Sequence, residues 1–189
     1  MTDAVAKSPA DWGREILQFW FAKIAPELWF KKDDAFDQLV RERFLAVHAH
    51  IADLPVEACL ADAQKALAAI IALDQFPRNM FRGTPQAFAT DAKAHVLADG
   101  AITKGFEAAL SKDERLFLYL PFEHAEDTAS QARCVKLMGT LNDDELRRYA
   151  LAHKDIIDRF GRFPHRNAIL GRTSTVEETG FLQQPGSSF

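Results

Sequence analysis

Residues 62–83 read DAQKALAAIIALDQFPRNMFRG, an alanine-rich run in which Leu67, Ile70 and Ile71 recur on one face. Alanine is the best helix former, and apolar residues three and four apart line one side of a helix, so the run predicts a helix from about Asp62 to Gln75 with Pro77 as its stop. Asp74 lies seven residues after Leu67, four after Ile70 and three after Ile71 and therefore shares their inward stripe. A carboxylate placed among apolar side chains needs a partner.

The same grammar extends in both directions. Ser8, Pro9 and Asp11 form a helix start, followed by Ile16, Leu17, Phe19 and Trp20 as a buried side. A second helix spans about Asp33 to Asp53, with Phe36, Leu39, Val40, Phe44, Val47 and Ile51 at helical spacing. Thr84 and Pro85 open a fourth that Gly100 closes, and Ser111 opens a fifth, KDERLFLYL, stopped by Pro121. A sixth runs after PFEHAED to about Leu141, and Asn142 with Glu145 reads as a capping box for a seventh reaching Phe160. Thr175 with Glu178 starts a short last helix ending near Leu182. No run alternates like a strand, so the expected fold is all-α, about eight helices arranged as antiparallel hairpins in one domain over 1–189, with 1–7 and 183–189 as frayed tails.

Charge and composition narrow the function. The 189 residues carry a formal net charge of -4, with 48% hydrophobic and 26% charged residues, the usage of an ordinary globular protein. Such a balance offers no general attraction to nucleic acid or anionic lipid. No stretch approaches a membrane span and no signal peptide is recognisable, and the two cysteines, Cys59 and Cys134, suit a reducing compartment, so a cytoplasmic location is expected. The spacings of metal sites are missing, as are GxGxxG, GxxxxGK[ST] and GxSxG, so neither metal nor cofactor is expected.

Polar residues on apolar faces carry the chemistry. His153 shares a face with Leu146, Tyr149, Ala150, Ile157 and Phe160, and Asp91 and His95 are four apart in the fourth helix. The stretch 121–127, PFEHAED, adds Glu123, His124, Glu126 and Asp127. Against these acids stand Arg78, Arg82, Arg159, Arg162, Arg166 and Arg172 at helix exits, with Asn79 and Asn167 beside them. Two readings follow: the arginines either pin one helical hairpin to the next or present planar donor forks to a ligand. His124 and His153, steered by Glu123 or Glu126, would form a proton-transfer pair near neutral pH, or satisfied core histidines. Trp29 and Phe30 could wall a pocket. FPRNMFRG (76–83) and FPHRNAILGR (163–172) echo one another as helix exits, as the corners of a helical array would.

LDQFPRNMFRG (73–83), YLPFEHAED (119–127) and HKDIIDRFGRFPHRNAILGRTSTVEETGFL (153–182) together resemble the bacterial domain-of-unknown-function family 924, in matching order over nearly the whole chain. The resemblance implies a tetratricopeptide-like all-α superhelix and brings no reaction with it. Where the family pattern has His-Ser-Glu, this chain has His124, Ala125 and Glu126. Gly161 and Pro164 should bend the chain so that Arg162, His165, Arg166 and Asn167 turn back towards His124 and Asp74. The expected function is a polar pocket for a small anionic metabolite, with Asp74, Arg78, Asn79, Arg162, His165, Arg166 and Asn167 as ligand-binding residues and His124, His153, Glu123 and Glu126 as acid–base candidates. The alternative is a helical scaffold that binds a peptide or protein partner.

Overall fold

A computed structural model describes residues 12–187, and every regular element among them is helical. Helix α1 (Trp12–Leu17) runs directly into a π-helical turn (Gln18–Lys23), and α2 (Asp34–Asp53) begins where the Asp33 carboxylate accepts the Phe36 amide. The short α3 (Val56–Cys59) leads to α4 (Ala63–Ile70), capped by the Asp62 side chain on the Lys65 amide. The expected start at Ser8 lies outside the described residues. Helix α4 is the central rod, packed on α1 and α3 as well as on the later helices that follow Gly83.

Pro77 does not end this rod. The chain passes through a π-helical turn (Ile71–Gln75) into α5 (Phe76–Met80), with Pro77 in the first turn of α5. Proline there lacks the amide that would have answered the Leu73 carbonyl four residues back. The Thr90 hydroxyl takes that carbonyl instead, at 2.5 Å, which removes the cost of an orphaned acceptor and lets the rod continue.

The next expectations also shift. Pro85 opens a 3-10 turn (Pro85–Phe88), and the helix proper, α6 (Asp91–Thr103), runs through Gly100 to Gly105, whose φ of +72° makes the reversal. Gly100 serves packing: a Cβ there would sit 2.6 Å from Leu60 Cδ1. The capping box of Ser111 and Glu114 starts α7 (Lys112–Glu123), which carries Pro121 inside its last turn rather than stopping at it.

Helix α8 (Thr128–Gly139) follows, capped by Asp127, and α9 (Asp144–Phe160) is capped by Asp143 rather than Asn142, whose φ of +52° turns the chain. Gly161, at φ +68°, bends the chain off α9 into a 3-10 turn (Pro164–Arg166), and the Thr175–Glu178 capping box starts α10 (Val176–Leu182). The main core joins α1 to α9 around Trp20, Phe44, Phe76 and Phe117, with Phe44 and Phe76 stacked at 4.6 Å. A smaller cluster of Ile156, Ile157 and Phe163 seats α10 through Phe160 and Phe181. Among the described residues no helix is long and apolar enough to cross a membrane.

Candidate functional site

The π-helical turn carries Asp74 into the interior, fully buried, where its carboxylate accepts from Gln75 Nε2 at 2.6 Å and from His124 Nδ1 at 2.8 Å. Arg78 Nη1 stands 3.5 Å away. Burial alone would raise the Asp74 pKa, but the charges of Arg78 and His124 outweigh it and hold the carboxyl well below its usual range. Arg78 in turn closes its fork on Asp91, with both hydrogen bonds at 2.9 Å, and also meets the Asp74 carbonyl.

His124 sits at the end of α7, where its amide still bonds back to Leu120. An ionised Asp74 can only accept, so His124 carries its proton on Nδ1 and presents a lone pair on Nε2. Burial, reinforced by Arg78, lowers the His124 pKa despite Asp74, so the ring is neutral at pH 7. That ring lines a cleft of about 610 Å³ between α6, the start of α8 and the Pro164–Arg166 turn. A neutral imidazole oriented by a buried carboxylate is a general base in form.

Arg166 forms the opposite feature of the same cleft. Its guanidinium lies between the rings of Phe88 and Phe163, 4.7 and 4.5 Å from their centroids. Among the described residues it makes a single hydrogen bond, from Nη1 to the His124 carbonyl at 3.1 Å, and its buried Nε has no partner there. The nearest carboxylate, Asp91, is 3.7 Å away. Burial, with Arg78 close by, pulls the Arg166 pKa down to about 10. The other arginines of the sequence motifs are closed: Arg78 on Asp91, Arg82 on Asp37, Arg159 on Glu177, Arg162 on Glu178 and Arg172 on Glu126.

The remaining cleft carboxylates are spent inside the fold. Glu126 receives Arg172 through two bonds and the Phe163 amide at 2.8 Å, and Asp127 caps α8 through the Ser130 amide. His95 completes the wall, its Nε2 3.0 Å from Ser130 Oγ and its ring edge-on to Phe122.

Three sequence motifs thus meet, but not every candidate faces the cleft. His124, Glu126 and Arg166 line it, with Asp74 directly behind His124. Glu123 and His153 form a buried pair beneath, 3.6 Å apart, and Glu123 accepts from the Cys134 thiol at 3.8 Å. Burial raises Glu123 to about 8 and depresses His153 to about 3, so the proton stays on the glutamate. His165 is likewise lowered to about 4, by burial and by Arg166. Asn79 donates to Asp37, and Asn167 joins Arg162 on Glu178, which places all three away from the cleft lining.

Trp29 packs edge-on against Phe117 and its indole bonds to the Trp20 carbonyl, so it closes the core rather than a pocket. Ser130 gave no signal in the sequence, and Phe88 stood out there only as a neighbour of Asp91 and His95. A second hollow of about 720 Å³, bounded by Trp12, Leu17, Phe21, Lys65 and Glu114, contains none of the candidates. Among the described residues no three His, Cys, Asp or Glu side chains gather as a metal site.

Fold and site together define an all-α protein with a buried Asp–His pair opening onto a cleft that an arginine overlooks. The chain belongs to the family described as bacterial protein of unknown function (DUF924), whose pattern matches residues 16–186. It is similar to the solved structure of a protein of unknown function from Agrobacterium tumefaciens, 45% identical with a TM-score of 0.87, over 93% of this chain and 99% of that one. No curated protein matches it.

Proposed function

We propose that the cleft binds a small anionic molecule, with Arg166 as its anchor and the Asp74–His124 pair as a proton-transfer unit. The observation that carries this reading is Arg166: a buried cation using one of its donors, on the wall of the cleft that His124 also faces. A guanidinium left so poorly bonded is stabilised by an arriving anion. His124 Nε2 then takes a proton from the ligand or a water, and Asp74 stabilises the imidazolium that forms. Arg78, its fork closed on Asp91, acts on the charge of the pair rather than as a clamp.

A thermal-shift screen against carboxylated and phosphorylated metabolites tests this, repeated with Arg166→Met and His124→Gln. A ligand at about a hundred times its Kd adds roughly 2.7 kcal/mol of stability. A raised midpoint that disappears in Arg166→Met supports the reading. If no anion shifts the midpoint, the closed pairs of Arg82, Arg162 and Arg172 favour the other one, a helical scaffold for a peptide or protein partner.

A further inference from the structure

We propose that the ligand of this cleft is a carboxylate on an apolar body, held through Nη2 of Arg166. This rests on the anion-binding reading and adds to it the chemical class of the anion.

The first ground is what Arg166 still has to offer. Its Nη1 is taken by the His124 carbonyl and its Nε is sealed inside the fold, whereas among the described residues Nη2 bonds to no other group. The rings of Phe88 and Phe163, 4.7 and 4.5 Å from the guanidinium carbon, crowd the rest of the group. Nη2 is therefore the donor left for an oxygen of an anion.

The second ground is charge. Around the anchor, Asp74 and Asp91 balance Arg78 and Arg166, and Glu126 is balanced by Arg172. A monoanion therefore leaves one uncompensated negative charge in a partly dry site, whereas a phosphate dianion leaves two. Nor do helix amides offset the second charge, because the start of α8 beside the cleft already holds the Asp127 carboxylate.

The third ground is the rest of the wall. Beyond the anchor the cleft is lined by Pro85, Phe88, Ala92, Val96 and Leu170, with Val96 half exposed on the outer turn of α6. Apolar surface of this kind rewards a ligand body of hydrocarbon or aromatic character.

Isothermal titration at pH 7 and constant ionic strength, using benzoate, hexanoate, acetate, phenyl phosphate and inorganic phosphate, decides the matter. Benzoate or hexanoate should bind at least about tenfold more tightly than acetate and than either phosphate compound. Arg166→Met removes the charge and the donor, and should weaken the carboxylates by about tenfold or more. Val96→Ser, on an exposed position where folding is not at stake, removes apolar wall without adding charge and should weaken benzoate and hexanoate and leave acetate unchanged. Phenyl phosphate binding as tightly as benzoate overturns the carboxylate assignment while anion binding stands. Binding by none of the five anions overturns both.

Discussion

Asp74 and His124 lie fifty residues apart in the chain and 2.8 Å apart in space, and the hydrogen bond between them ties the central rod to the end of α7. Asp74→Asn keeps the shape and removes the charge that Arg78 and His124 share. Loss of one member of a buried pair costs about 3–5 kcal/mol. Urea unfolding should show a loss of that order, with His124→Gln milder because Asp74 keeps Arg78 and Gln75. Equal stability of Asp74→Asn and the parent would mean that the pair contributes nothing to the fold.

Stability should peak near pH 6.5. Glu123 has its folded pKa raised to about 8 from 4.5, so the folded state holds a proton that the unfolded chain releases, and stability falls as pH rises from 4.5 to 8. His153 and His165, lowered to about 3 and about 4 from 6.5, act in the opposite sense: the unfolded chain gains protons below 6.5 that the fold refuses, so stability falls as pH drops. Each group contributes a slope of about 1.4 kcal/mol per pH unit in its window. Between 4.5 and 6.5 the two histidines outweigh the glutamate; above 6.5 the glutamate acts alone. Glu123→Gln should flatten the decline between pH 6.5 and 8 in melting experiments. A parent-like decline in that variant would assign the slope elsewhere.

The continuity of the rod through Pro77 depends on the Thr90 hydroxyl. Thr90→Val leaves the Leu73 carbonyl without a donor, at a cost of about 1–3 kcal/mol. Pro77→Ala restores a backbone amide within reach of the same carbonyl. The double variant should therefore lose less than the sum of the two single changes, and strict additivity in denaturant unfolding would break the link between these residues.

The C-terminal helix α10 is fastened by few groups: Arg162 and Asn167 on Glu178, Arg159 on Glu177, and Phe181 against Phe160. Arg162→Ala should speed amide exchange across residues 176–182 while the amides of α4 and α7 keep the parent rates. Uniform acceleration over the whole chain would show instead that α10 unfolds with the core.

Much of this was legible where the chemistry is local. Asp33, Ser111 with Glu114, and Thr175 with Glu178 all cap the helices whose starts they mark, because a cap and its amides lie within three residues. Asp74 could be placed inside by its spacing alone. Its partner could not, since nothing near residue 74 points to residue 124. The prolines misled for the same reason: Pro77 is harmless only because Thr90, from the next part of the chain, supplies the missing donor. The arginine cluster was visible as a cluster, yet which members are closed and which is open depends on Asp37, Glu126 and Glu178, each from a different helix or helix end.

The π-helical turn at Ile71–Gln75 gives the central rod one residue more than an α-helical register would hold. Taking a single residue out of this turn would let the hydrogen-bond ladder close as an ordinary α-helix with the segments on either side in phase, whereas winding the same residues into an α-helical ladder would swing everything beyond it round the axis by about 100°. Asp74, Arg78 and Asn79 would then face new neighbours although none of them had been altered. The turn acts as a phase adjuster: the one residue it absorbs is what keeps the whole polar set aimed where it is.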